Sequence, residues 1–245
     1  MPDRKTTDKE DLVSVALITG ASKGLGYALT HALAYQGWSL VVDARGQEEL
    51  ERLSAELDPS RTQAIVGDVT DAGHRRQLVE SAQRIGGPHL LVNNASYLGP
   101  SPQPLLRDYP HDELRRVFEV DVFAPLDLVQ RSLPALVANR GVVVNVSSDA
   151  AVEAYPGWGG YGSAKRALDH LSAVLAAEEP ELRVYAFDPG DMRTAMQQAA
   201  FPGEDISDRP EPATVVPAVL RLLEQRPASG RYRAVDLLST AGAPG

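Results

Sequence analysis

At 245 residues the chain is long enough to bury one large core, and its 43% hydrophobic and 23% charged residues are ordinary for a globular protein. A net charge of −9 with no basic block argues against nucleic acid or an acidic membrane surface as a partner. The absence of cysteine excludes disulfides and thiolate metal sites, no metal is expected, and no apolar run is long enough to span a membrane.

Residues 1–12 are polar, lack the apolar segment of a secretory signal and read as a flexible tail. A cytoplasmic location is the expectation. Residues 13–245 read as one domain. VSVALIT (13–19) is a predicted buried strand, followed by a glycine-rich turn and an amphipathic segment from Leu25 to Tyr35. SLVVDA (39–44) is a second strand, QEELERLSAEL (47–57) a charged helix, TQAIVGDV (62–69) a third strand and HLLVNN (89–94) a fourth. Residues 111–139 read as one long helix kinked at Pro125. GVVVNVSS (141–148) is a fifth strand, 161–178 a strong helix and RVYAFD (183–188) a sixth strand. Pro-rich, acidic 191–212 has little periodicity and is expected to be a lid. A last helix over 212–225 precedes a short strand near 231–237. Such alternation predicts an α/β domain, a Rossmann-like doubly wound parallel sheet of about seven strands with helices on both faces. Ligands of such sheets bind at the carboxyl ends of the strands, where strand order reverses.

The cations are unevenly chosen. Of twenty arginines and four lysines, only Lys23 and Lys165 lie beyond the tail's Lys5 and Lys9. Lysine offers a compact ammonium that arginine cannot replace, so both remaining lysines call for a chemical reason. Lys23 sits in TGASKGLG (19–26), where β-strand meets helix. There Gly20 permits a tight turn, and Gly24 and Gly26 let backbone amides approach a pyrophosphate at the helix N-terminus. Lys165 lies one helical turn beyond Tyr161, on the same face, where an ammonium lowers a neighbouring phenol's pKa. A phenol so placed can pass a proton to or from a carbonyl or alcohol oxygen.

The glycine spacing, NNA at 93–95, SS at 147–148, Tyr161-x-x-x-Lys165 and Pro189-Gly190 occur in one order, and with them the chain resembles the short-chain dehydrogenase/reductase family over about 13–195. The resemblance implies an oxidoreductase moving hydride between nicotinamide and a carbonyl or alcohol. Tyr161 would be the proton donor, Lys165 its partner and Ser148 the hydroxyl that orients the carbonyl. It further implies cofactor contacts from the glycine loop, including Ser22 and Leu25, from Asp68 and Val69 at the adenine, from Asn93 and Ala95 along the adenosine side of the cleft, and from Pro189, Gly190 and Thr194 at nicotinamide. The residue aligned with the acid that chelates the NAD ribose is Ala44. Arg45 follows it and Lys23 can reach the same place, so NADP(H) is expected over NAD(H). Asp43 lies one position earlier, and strand alternation should turn it away from the ribose.

Three departures stand out. Ser96 follows NNA where the family usually has glycine. Asp121 stands where the family carries an asparagine that holds a relay water, and it joins Ser148, Tyr161 and Lys165 as the fourth candidate catalytic residue. The C-terminal segment lacks the usual V-D-G-G ending. Ser96, Tyr97, Tyr155, Trp158 and Met192, with Leu98, Val152 and Met196, are candidates either for a substrate wall or for loop and core packing. A small-molecule ketone or aldehyde is the expected substrate, and an NADP(H)-binding regulator without turnover is the alternative. A homodimer or homotetramer paired through 111–139 and 161–178 is the expected assembly.

Overall fold

A computed structural model describes residues 14–239; the tail expected at 1–12 lies outside them. The strands are β1 (Val15–Ile18), β2 (Ser39–Ala44), β3 (Thr62–Val66), β4 (Leu90–Asn93), β5 (Val142–Val146), β6 (Arg183–Asp188) and β7 (Gly230–Arg233). They form one seven-stranded sheet in the order β3-β2-β1-β4-β5-β6-β7, with every neighbouring pair parallel. Parallel strands covered on both faces need apolar residues in both directions, and VALI of β1 is buried throughout.

The alternation of side chains then separates two cores. Ala16, Ile18, Leu40, Val42 and Val144 pack under α1 (Gly24–Tyr35), α2 (Gln47–Ala55) and α8 (Val216–Gln225). Val15, Leu17, Val41, Leu91 and Val143 face the other way, against α3 (Ala72–Arg84) and α5 (Ala124–Ala138). Each buried leucine or valine contributes about 1.5–3 kcal/mol by leaving water. Strand order reverses between β1 and β4, so the carboxyl ends of these two strands open the crevice in which such sheets bind ligands.

Helix α3 was not expected. Its sequence, AGHRRQLVESAQR, hides its buried face because His74 and Arg75 lie inside. They are tolerated there because Asp43 meets the His74 ring at 2.9 Å and Asp127 accepts from Arg75 Nε at 2.5 Å. Asp71 caps the helix by accepting from the Gly73 and His74 amides. The long helix expected over 111–139 is two, α4 (His111–Phe118) and α5, joined by a single π-helical stretch at Glu119–Phe123. Pro125, near the start of α5, has no amide to donate back into that stretch. The widened turn buries Val120, Asp121 and Val122. The segment 191–212 contains a short helix, α7 (Ala195–Ala200), and α8 is preceded by a 3-10 turn at Pro212–Thr214. The last strand is shorter than expected, because Ala234–Ser239 forms α9.

Candidate active site

The carboxyl ends of β1, β4, β5 and β6 surround a cleft of about 460 Å³. One wall is the glycine loop, where Gly20, Ser22, Lys23, Gly24 and Leu25 line the space. Gly20 and Gly24 adopt φ of +65° and +57°, in the left-handed region. Gly26 faces away from the cleft, and its role is spatial, since a Cβ there would lie 2.4 Å from the Gly20 carbonyl oxygen. Helix α1 begins with no side-chain cap and no acid in its first turn. Its positive end and free amides therefore face the cleft, which suits a pyrophosphate.

Two residues not singled out in the sequence hold this loop. Thr19 Oγ1 accepts from the Asn94 and Ala95 amides, each at 3.0 Å, and Asn94 Nδ2 donates to the Thr19 and Gly20 carbonyls at 2.9 and 3.0 Å. The NNA motif thus contributes its second asparagine as a latch. Asn93, expected along the adenosine side, is instead buried and donates to Asn145 Oδ1 at 2.7 Å; Asn145 in turn donates to Ser172 on the helix described next. It ends β4 with its side chain toward β5, not into the cleft, because alternation puts Asn94 there.

The opposite wall comes from α6 (Gly159–Glu178) and the end of β5. Ser148, Tyr161 and Lys165 all line the cleft. Ser148 Oγ donates to Asp149 at 2.9 Å. Lys165 Nζ donates to the Val146 carbonyl at 2.9 Å, lies 2.9 Å from Asp121 Oδ1 and sits 5.4 Å from the centre of the Tyr161 ring. Asp121 does not reach the cleft; it is fully buried behind Lys165. Burial pushes the Tyr161 phenol above its ordinary value, the Lys165 ammonium pulls against this, and the Asp121 carboxylate adds to it. The sequence led us to expect a lowered phenol; the net direction is upward. Burial acts to lower Lys165, but Asp121 and Tyr161 outweigh it and hold the ammonium above its usual range.

The far end holds Arg45, Asp68 and Val69. Burial acts to raise the Asp68 carboxyl, but donation from the Thr70 amide and hydroxyl, with Arg45 and Arg116 nearby, keeps it low. Asp43 turns its carboxylate inward, where Oδ1 accepts from the Gly20 amide at 2.8 Å and Oδ2 meets His74. Lys23 is paired with Glu49 at 3.2 Å. The third side is the segment after β6, where Pro189, Gly190, Met192 and Thr194 line the cleft. Thr194 also caps α7.

The substrate candidates divide. Ser96, Leu98, Trp158, Met192 and Met196 line the cleft. Tyr97 does not, because its hydroxyl donates to Glu113 at 2.6 Å and Arg116 covers its ring. Tyr155 stands outside the wall, donating to Asp149 and meeting Trp158 edge-on, and Val152 is half exposed. Arg231, which drew no notice in the sequence, ties the site together from β7. It donates to the Ser148 carbonyl and Asp188, each at 2.8 Å, and to Asp169 at 3.0 Å. No cluster of potential metal ligands occurs among the described residues, and no helix among them is long and apolar enough to cross a membrane.

The family model for short chain dehydrogenase matches residues 14–205. The chain belongs to the short-chain dehydrogenase/reductase family. It is therefore an oxidoreductase acting between CH–OH and C=O groups. It is 35% identical to the sepiapterin reductase of Mus musculus over 203 residues, 76% of this chain and 77% of that protein. To the benzil reductase ((S)-benzoin forming) of Saccharomyces cerevisiae it is 33% identical over 220 residues, 86% of this chain and 81% of that one. A short-chain dehydrogenase from Shigella flexneri, solved with NADP, superimposes with a TM-score of 0.83 at 28% identity, covering 92% of this chain and 99% of the other.

Proposed function

We propose that this short-chain dehydrogenase is an NADP(H)-dependent reductase of an uncharged aryl or alkyl ketone or aldehyde. The observation that carries the cofactor choice is that Asp43, although it lines the cleft, commits its carboxylate to the Gly20 amide and His74, which leaves Arg45 and Lys23 as the charged groups open to a phosphate at that end. The glycine loop and the bare start of α1 hold the pyrophosphate, while Pro189, Gly190 and Thr194 border the nicotinamide. When bound, the nicotinamide supplies or takes hydride. Tyr161 gives its proton to the substrate oxygen, Ser148 turns its hydroxyl from Asp149 to that oxygen, and Lys165 favours the resulting phenolate. Segment 191–212 acts as a lid that shields this step from water; Met192 and Met196, half-buried and adaptable, suit a moving wall. The helices α4 to α6 pair subunits in a homodimer or homotetramer, in keeping with the exposed apolar side chains of Phe123 and Val174. A cytoplasmic location belongs to the same reading.

The substrate end is walled by Leu98, Trp158, Met192 and Met196, with Asp149 and Asp191 as its outer charges. That combination favours apolar, uncharged carbonyl compounds and repels carboxylates. Methyl benzoylformate should be reduced with NADPH at a kcat/KM about tenfold or more above that of benzoylformate, which corresponds to about 1.4 kcal/mol of like-charge repulsion. Nicotinamide absorbance reads both, with benzil and sepiapterin as further trial substrates. Tight NADPH binding with no turnover of any carbonyl compound would instead favour a regulator.

At the other end, Glu49 folds over the start of α2, so close that a Cβ on Gly46 would lie 2.2 Å from its Oε2. Its carboxylate pairs with Lys23 at 3.2 Å and would compete with a 2′-phosphate for that ammonium. Glu49→Gln should tighten NADPH by about two- to fivefold and leave NADH unchanged, the size of a surface charge effect near a helix end. Isothermal titration with each cofactor checks it; weaker NADPH binding would mean that Glu49 positions Lys23 instead.

A further inference from the structure

The cofactor end of the cleft holds an acid that a phosphate site does not call for. Asp43 lines the same end as Lys23, Arg45 and Gly46. A buried anion there repels a phosphate with little screening. Both of its oxygens are occupied. Oδ1 accepts from the Gly20 amide at 2.8 Å, and Oδ2 meets His74 Nε2 at 2.9 Å. The two side chains are only 1% and 7% exposed. Burial raises the Asp43 carboxyl above its ordinary range, while donation from His74 and the Gly20 amide works against this and favours the charged form. The seat of the histidine is itself built. Asp71 fixes the first turn of α3 by accepting from the Gly73 and His74 amides at 2.6 and 3.3 Å. The ring then lies against residue 67, where a Cβ would come within 2.2 Å of Nδ1, so the ring needs glycine there. Helix α3, strand β2 and the glycine loop thus meet through one hydrogen-bonded chain, His74–Asp43–Gly20, whose middle member is an acid.

We propose that His74 is a positioning residue that sets the choice of cofactor by tying Asp43 back. The ring holds the carboxylate against the Gly20 amide and takes up one of its oxygens. Lys23 and Arg45 can then meet a 2′-phosphate with no free acid beside them. Without the ring, Asp43 loses a donor and is left with an unpaired oxygen in a buried place, which is costly. It regains a partner by turning toward water in the cleft, at the end where a 2′-phosphate would sit. An acid there selects against NADP(H). NADH carries no phosphate at that position, so the effect falls on one cofactor. This deepens the NADP(H) reading and rests on it. The role is one of position, since His74 meets Asp43 and the backbone of residue 67 rather than the cofactor.

The test reads binding and needs no substrate. Isothermal titration of the full chain with NADPH and with NADH, at about pH 8 so that carboxylates are charged, gives the ratio of the two affinities. His74→Leu keeps the bulk but not the donor, and it should lower the preference for NADPH about tenfold, the effect of one like charge brought near the phosphate. In an Asp43→Asn background the same substitution should move the ratio by less than about twofold, because no charge is left to hold. A ring that only fills space would weaken both cofactors alike, and by the same factor in either background; that result would overturn the proposal. Gly67→Ala displaces the ring without removing it and should repeat the selective loss. It carries the test if His74→Leu does not fold, and an unchanged ratio in it would then overturn the proposal. Equal affinity for NADPH and NADH in the unmodified protein would overturn the cofactor reading and this proposal with it. A clear preference for NADPH that His74→Leu leaves intact would overturn the role of His74 alone.

Discussion

Tyr161→Phe should lower carbonyl turnover by about 10²–10⁴-fold, the usual contribution of a positioned general acid, while NADPH binds within about twofold of its original affinity. The ring alone fills the space. Trp158 meets it edge-on at 6.0 Å, and Leu98 and Ala150 pack beside it, so phenylalanine keeps every apolar contact. What is lost is the proton. Stopped-flow reduction with NADPH, beside a fluorescence titration of the cofactor, separates the two effects. Turnover retained within about threefold would mean that another group supplies the proton. Loss of NADPH binding in parallel would mean that the variant has disturbed the wall and says nothing of chemistry.

The second large effect lies at the other end of the cleft. Arg45 is exposed and follows β2, and it reaches far enough to act on the Asp68 carboxyl. A charge-assisted bond to a 2′-phosphate is worth about 1.5–3 kcal/mol, so Arg45→Ala should remove roughly tenfold to a hundredfold of the preference for NADPH over NADH. The ratio of kcat/KM for the two cofactors, measured with one carbonyl substrate, reads it. Equal ratios in the unmodified protein would sink the phosphate reading, since Asp43 is already committed to the Gly20 amide and His74.

Where side chains repeat with a regular period, the sequence was readable. The apolar run of β1 marked a strand buried on both faces, and the glycines, Tyr161 and Lys165 pointed to one cleft. The register of β2 was also readable, since alternation turned Asp43 inward and left Arg45 beyond the strand end. Helix α3 was not, because its buried face is built from a histidine and an arginine whose partners, Asp43 and Asp127, lie far off in sequence. The same holds for the π stretch that aims Asp121 inward, since Pro125 signals only a kink. Asn94 and Arg231 were missed for a related reason. Each acts by fastening backbone carbonyls from other strands, and such contacts leave no local pattern. Tyr97 and Tyr155 looked suited to a substrate wall by residue type, but Glu113 and Asp149 draw their hydroxyls elsewhere.

Arg231 sets an order of events on the making of this enzyme. All the residues assigned to chemistry and cofactor precede position 200, yet the Ser148 carbonyl and the carboxylates of Asp169 and Asp188 wait for a guanidinium that arrives in the last strand. At roughly 5–20 residues per second, a ribosome needs a few seconds more to deliver it. Until then two buried carboxylates face each other without their shared cation, an arrangement that costs several kcal/mol per charge if it is kept out of water. Docking of β7 is thus what joins the end of β5, the end of β6 and α6 through one guanidinium.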